Sequence, residues 1–393
     1  MTVSDNRSSF APPARMLMGP GPSDIDPRVL AALSRPTVGH LDPSFQAMME
    51  EVKELLRYAF QTENPLTFPL SAPGSVGMEC CLINLIEPGD KVVVCRNGVF
   101  GGRMAEIVTR CGGELVVVDD EWGRAVDPAK LEAALKANPD TKVVAFVHAE
   151  TSTGAGSNAE LLCGIARQHG CLTVVDTVTS LGGLPVRVDA WGIDAIYSGS
   201  QKCLSCTPGL APVSFSERAL ESILSRKTPV QSWFMDIGLI AGYWSGEGKR
   251  SYHHTAPVHA LYALHEALRL LREEGLENAW TRHARAHRGL RAGLEALGLE
   301  LLVPKGERLP QLNVVIVPDG VDEAQVRMRL LNEYGLEIGA GLGALAGKVW
   351  RIGVMGYGAT PRNVLYTLAA LEAVLNRGSG SVAAAESVFS ATR

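Results

Sequence analysis

No stretch of the chain stays apolar for the roughly 20 residues that a membrane-spanning helix requires. Basic residues are not in surplus either. Lys and Arg number 37 against 42 Asp and Glu, for a net charge of -5 with both signs interspersed, which argues against a nucleic-acid surface. Zinc-ligand spacing is also missing: Cys203 and Cys206 form one C-x-x-C without a second pair, and Cys80 and Cys81 are adjacent. The eight cysteines therefore read as small, buried, reduced thiols, and no metal site is expected. The first fourteen residues include Asp5 and lack an unbroken apolar segment, unlike a secretory leader. The last four, Ser390, Ala391, Thr392 and Arg393, are not the Ser-Lys-Leu peroxisomal address. No internal repeat is visible. These absences leave a cytoplasmic enzyme with no nucleic-acid or membrane partner as the expectation.

The chain does hold an alternation of strand-like and helical patterns over 393 residues, 46% of them apolar, enough for a large core. Short, β-branched, almost wholly apolar runs at 91–95, 115–118, 143–147 and 172–175 suit strands buried on both faces of a parallel sheet. Helical segments at 128–135 and 159–169 separate them, which implies an α/β sheet covered on both sides. Ligands of such sheets collect beyond the carboxyl ends of the strands, where Asp176 and the Thr151 segment would lie. After about residue 255 the pattern changes. Amphipathic helices at 256–273 and 279–297 are followed by strands at 313–317 and 350–354 around a helix at 322–334. The expected division is an N-terminal arm (1–15), a large domain (16–275), a smaller α+β domain (276–377) and a Ser/Ala-rich mobile tail (378–393).

The chemistry centres on Lys202, which closes the polar run Ser198-Gly199-Ser200-Gln201-Lys202. Asp176 ends the apolar strand upstream of it. An amine in a small polar loop can form a Schiff base with the aldehyde of pyridoxal phosphate, and a carboxylate can keep the pyridine nitrogen protonated. The turn Ser71-Ala72-Pro73-Gly74-Ser75-Val76-Gly77 leads into a helical pattern; it reads either as a simple N-cap loop or as a phosphate cradle of exposed N–H groups.

Other motifs carry less. Gly339-Ala340-Gly341-Leu342-Gly343-Ala344 matches a dinucleotide pattern, yet a strand at 348–354 follows at once and leaves no room for the crossover helix that a nicotinamide site needs. His283 and His287 stand four apart among Arg282, Arg285 and Arg288 and read as a solvated helix face. His253-His254 reads equally well as a structural loop or a functional one.

In these segments the chain resembles the class V, fold type I pyridoxal-phosphate-dependent aminotransferases of the alanine–glyoxylate and serine–pyruvate group. The resemblance runs from Met18-Gly19-Pro20-Gly21-Pro22-Ser23 to about residue 375. It takes in Ser198 to Lys202, Pro208-Gly209, Tyr252-His253-His254-Thr255-x-Pro257, Gly275-Leu276-Glu277-Asn278 and Lys348-Val349-Trp350-Arg351-Ile352-Gly353. It implies a large domain with a mainly parallel sheet of seven-stranded type, a smaller C-terminal α+β domain, and a homodimer that shares its active sites across the interface.

The resemblance also assigns roles. Lys202 would hold the cofactor and shuttle the substrate's Cα proton, and Asp176 would keep the ring nitrogen protonated. Gly74, Ser75 and Gln201, with Tyr252 and Thr255 of the partner subunit, would hold the phosphate. Thr151 would lie near the ring hydroxyl. Arg351 would grip the substrate carboxylate, and Gly21 would favour small substrates. Phe100 stands where the group usually has tryptophan; phenylalanine still stacks, over less area and without an indole N–H. The implied activity is ping-pong transfer of the amino group of alanine or serine to glyoxylate, which becomes glycine. A ureidoglycine- or aspartate-using aminotransferase is the alternative. A cysteine desulfurase or other lyase is the more distant rival, because desulfurases of this superfamily place histidine where Gln201 stands.

Overall fold

The computed structural model describes residues 9–244, 250–378 and 380–391. Residues 1–8 of the expected arm, and Ser379, Thr392 and Arg393 of the expected tail, lie outside the described residues. The four apolar runs form the strands Lys91–Arg96, Glu114–Asp119, Thr141–Val147 and Leu172–Asp176. These pair in parallel with one another, and Leu172–Asp176 also pairs in parallel with Ala195–Tyr197. The sheet has seven strands in the spatial order Leu66–Leu70, Ala211–Phe215, Ala195–Tyr197, Leu172–Asp176, Thr141–Val147, Lys91–Arg96, Glu114–Asp119. Ala211–Phe215 runs antiparallel to both of its neighbours. The inner strands are buried along nearly their whole length, which explains why they are apolar at consecutive rather than alternate positions.

Local signals start the covering helices. Asp127 and Asn158 accept backbone N–H bonds at the heads of Pro128–Ala137 and Ala159–Gln168, the first with proline in its opening turn. Gly275, at φ +84°, separates the helices Val258–Glu274 and Leu276–Ala296.

Two apolar cores result. One gathers side chains from Val29 to Ala279 around the seven-stranded sheet. The other joins Ala286, Leu290 and Leu294 to Trp350, Ile352 and the helix Pro361–Leu375. A three-stranded sheet of Leu312–Ile316, Val349–Gly353 and Gly339–Ala340 lies in the second region. The late glycine run supplies the short strand Gly339–Ala340 and a 3₁₀ turn at Gly343–Leu345, with no crossover helix. Met16–Leu17 pairs in parallel with Leu336–Glu337, and Met18 is buried in the second core. Residues 16–18 therefore pack against the C-terminal third of the chain.

Two expectations are corrected. The segment expected to be a mobile tail contains the helix Ser381–Ser390, and Phe389 is buried in the second core. Small residues on the facing helix explain this: a Cβ at Gly289 would lie 2.2 Å from the Phe389 ring, and Arg285 Nη2 donates to the Phe389 carbonyl at 2.6 Å. The pair His283 and His287 is not a solvated face. His283 is fully buried, its Nδ1 2.6 Å from the Ala279 carbonyl while its Nε2 accepts from Gly356 N at 2.8 Å. His287 Nδ1 lies 2.6 Å from Asn313 Oδ1. Sequence spacing placed both on one helix face, but the second core covers that face. The docked helix predicts that Phe389→Ala costs about 3–5 kcal/mol, read as a lower urea midpoint; an unchanged midpoint would mean the helix contributes nothing.

Candidate active site

The sheet topology brings the carboxyl ends of Thr141–Val147, Leu172–Asp176 and Lys91–Arg96 side by side. Asp176 is the last residue of a central strand and is buried. Its Oδ2 accepts from Tyr197 Oη at 2.6 Å and its Oδ1 from Val178 N at 2.8 Å. Tyr197 is its register partner on the next strand. No lysine or arginine of the described residues forms an ion pair with Asp176, and burial pushes its carboxyl up to about 7.

Lys202 is held in a loop tied to the chain start. Ser23 N donates to the Gln201 carbonyl at 2.9 Å, and Ser23 Oγ donates to the Lys202 carbonyl at 2.7 Å. The Lys202 ammonium donates to the Pro20 carbonyl. Gly21, at φ +103°, passes so close that a Cβ there would lie 2.5 Å from Lys202 Cδ and Nζ and would push the lysine side chain aside, and its backbone conformation itself favours glycine. Burial and the charge of Arg351 bring the Lys202 amine down to about 8. Its neutral form is thereby populated near physiological pH.

Arg351 lies on Val349–Gly353 and is buried. Its Nε donates to the Ala340 carbonyl at 2.7 Å and its Nη1 to the Thr151 carbonyl at 3.1 Å. No carboxylate of the described residues pairs with it, so the remaining guanidinium donors are free for an anion. Burial brings its pKa down to about 10. Thr151 Oγ1 meets Thr179 Oγ1.

Two helix starts differ in a telling way. Gly74–Leu85 begins after Pro73 with no side-chain cap, and the N–H groups of Gly74 and Ser75 have no partner among the described residues. A Cβ at Gly74 would come within 3.2 Å of Val178 and 3.3 Å of the Ser198 carbonyl, which places this open end beside the Asp176 loop. Gln201 Oε1 is buried without a hydrogen-bond partner. Val99–Arg110, which carries Phe100, is closed instead: Ser152 Oγ accepts from Val99 N at 2.9 Å, and Glu150 Oε2 accepts from Phe100 N and Gly101 N at 3.2 and 3.3 Å. The Phe100 ring is half-buried beneath the Arg103 guanidinium, 4.8 Å from its centroid.

The structure thus links Gly21, Lys202, Asp176, Gly74, Thr151 and Arg351 through short chains of contacts. Tyr252 and Thr255 are exposed and hydrogen-bond to none of these groups; Tyr252 Oη lies 3.5 Å from Thr255 Oγ1. Their segment is tied to the glycine-rich turn by the 2.7 Å contact between His254 Nε2 and Ser71 Oγ. All eight cysteines are buried and free, Cys203 and Cys206 included. Sequence reading missed Tyr197, Pro20 and Glu150. Tyr197 is signalled only once the neighbouring strand is known, and Pro20 acts through its carbonyl, which its residue type does not reveal.

The family model for aminotransferase class-V matches residues 20–358. A (S)-ureidoglycine–glyoxylate transaminase of Bacillus subtilis is 39% identical, covering 98% of this chain and 96% of its own. An alanine–glyoxylate aminotransferase of Callithrix jacchus is 41% identical over 92% of this chain and 88% of its own. The crystal structure of an alanine–glyoxylate aminotransferase from Nostoc sp. superposes with a TM-score of 0.92 at 46% identity, covering 95% of this chain and 100% of that one.

The environment of Asp176 generates a pH-dependent prediction. Its carboxyl is held above the ordinary 3.8, at about 7. The folded chain therefore keeps a proton that the unfolded chain releases, and stability is lost as pH rises from about 4 to about 7. In cofactor-free protein, Asp176→Asn should gain melting temperature over the unsubstituted chain progressively across that window. The gain levels off above it at roughly 4 kcal/mol at most. A constant difference from pH 4 to 8 would refute the buried, unpaired carboxylate.

Proposed function

This chain belongs to the aminotransferase class-V family, and on that premise we propose that it transfers the amino group of a small amino acid, alanine or serine, to glyoxylate, with Lys202 and Asp176 at the reacting centre. Class V aminotransferases depend on pyridoxal 5'-phosphate, and the residues fit that group. An open helix start at Gly74 and Ser75 suits a phosphate, and the Gln201 amide, whose Oε1 has no partner, would turn its NH₂ toward it. The buried, unpaired Asp176 carboxylate suits a protonated ring nitrogen. That single observation carries the reading, because a buried acid without a cation is costly unless a ligand compensates it.

Bound pyridoxal phosphate supplies an aldehyde carbon and an electron-accepting ring. The chain's own groups do the rest. Lys202 Nζ, brought down to about 8 so that part of it is neutral at ordinary pH, would anchor the cofactor, give way to the substrate amine and take the proton from the substrate Cα. Asp176 would hold the ring nitrogen, with Tyr197 and Val178 N fixing the carboxylate. Arg351 offers its free donors to the substrate carboxylate while the Ala340 and Thr151 carbonyls hold the guanidinium still. Phe100 would cover the cofactor ring and Thr151 would lie on the side of its hydroxyl. The second half-reaction reverses the proton path, with glyoxylate as acceptor.

The reading includes a homodimer in which Tyr252 and Thr255 reach the partner's phosphate; their exposure and their tether to Ser71 support this. It also includes a cytoplasmic location, which the eight free thiols favour. No helix of the described residues is long and apolar enough to cross a membrane.

Ureidoglycine is the second donor to test, because the relative named for it matches along 98% of this chain. A donor panel of alanine, serine, aspartate and ureidoglycine, with glyoxylate and pyruvate as acceptors, should show glycine formation from glyoxylate with alanine or serine preferred. No turnover with glyoxylate would remove the proposal. Lys202→Ala should lower the rate by at least 10²–10⁴-fold. Arg351→Lys should raise KM for the amino donor about tenfold or more, because lysine lacks the bidentate fork; an unchanged KM would remove the carboxylate grip.

A further inference from the structure

Glu150 is fully buried on the short strand Ala149–Glu150, and no role in the proposed chemistry uses it. It forms no ion pair among the described residues. Instead its two oxygens face two different parts of the site. Oε2 accepts from Phe100 N and Gly101 N. Oε1 accepts from Ser152 N at 3.0 Å and Ser152 Oγ at 2.6 Å. Ser152 Oγ, which donates to that carboxylate, accepts in turn from Val99 N.

Together Glu150 and Ser152 satisfy the first three N–H groups of the helix Val99–Arg110. Its own N-cap residue is glycine and offers no side chain. The glycine is needed for this: a Cβ at Gly98 would lie 2.5 Å from Glu150 Cδ and from Ser152 Oγ. Between the two anchoring residues sits Thr151, whose carbonyl accepts from Arg351 Nη1. One carboxylate therefore fixes both the helix turn bearing Phe100 and the backbone turn that holds the guanidinium. Its charge also lies near Arg351, where it favours the cation without occupying the fork.

We propose that Glu150 is a positioning residue that sets Arg351 and Phe100 in register with each other, so that the carboxylate grip and the ring cover are placed by a single buried group. The inference rests on the proposed function, since it concerns how tightly that site holds an amino acid. Glutamine at this position keeps the size but presents an NH₂ group to one of the two donor sets, which breaks one anchor. Aspartate keeps the charge but is one methylene too short to span both.

The test uses the cofactor-loaded protein and reads two quantities. In Glu150→Gln, KM for the amino donor should rise at least tenfold, with a smaller fall in kcat. Amide exchange at Val99, Phe100 and Gly101 should accelerate at least tenfold, with or without cofactor. Glu150→Asp should show the faster exchange but a smaller rise in KM, because the charge beside Arg351 is kept. Ser152→Ala, which spares the carboxylate, should expose Val99 alone; it supplies the readout if the glutamine variant does not fold. Wild-type KM together with protected amides in Glu150→Gln, or in both other variants, would overturn the role of Glu150. Wild-type protein that takes up no pyridoxal phosphate would overturn the proposed function instead, and the exchange result would still report on the Glu150 anchor.

Discussion

Asp176 is buried and Lys202 half-buried, the two are of opposite charge type, and they form no ion pair among the described residues. Each is held by neutral partners: Tyr197 and a backbone N–H for the carboxylate, the Pro20 carbonyl for the amine. In water neither arrangement would shift a pKa far. Here desolvation drives the acid up and the amine down, toward each other and toward neutrality. Much of the surrounding architecture maintains that separation. The parallel sheet sets the carboxylate at a strand end, and the chain start keeps the amine at arm's length. Glycine at position 21 makes room for both chain and side chain.

The same logic explains how the chain start and the C-terminal third share the site. Met18 packs in the second core, its carbonyl accepts from Gly353 N, and a Cβ at Gly353 would fall 2.0 Å from the Gly19 carbonyl. The backbone from Gly19 to Ser23 thus runs between the Arg351 strand and the Lys202 loop. Three segments far apart in sequence meet there, the first two backbone to backbone and the third through the Lys202 and Ser23 side chains. Close backbone approach of this kind fixes distances more firmly than a surface ion pair does.

Much of this was legible in the sequence, for physical reasons. Strands buried on both faces must be apolar without alternation, so 91–95, 143–147 and 172–175 announced a covered parallel sheet before any pairing was known. A lysine in a polar loop downstream of a strand-ending aspartate has few other uses. The missed features depend on contacts between distant residues. Glu150 stands beside Thr151 in the sequence, but its partners, Phe100 and Gly101, are 50 and 49 residues away. His283 and His287 looked solvated among arginines because helix periodicity does not reveal what packs on each face. The tail looked mobile because its composition hides one Phe389, which only the glycine at 289 accommodates.

The central claim is that Lys202 is the amine that holds pyridoxal phosphate. It is tested most directly by loading the purified protein with the cofactor, reducing with borohydride and mapping the added mass by peptide sequencing. The account predicts loss of the visible absorbance and a single modified peptide, with the label on Lys202. Label on any other lysine, or a protein that takes up no cofactor, would contradict it.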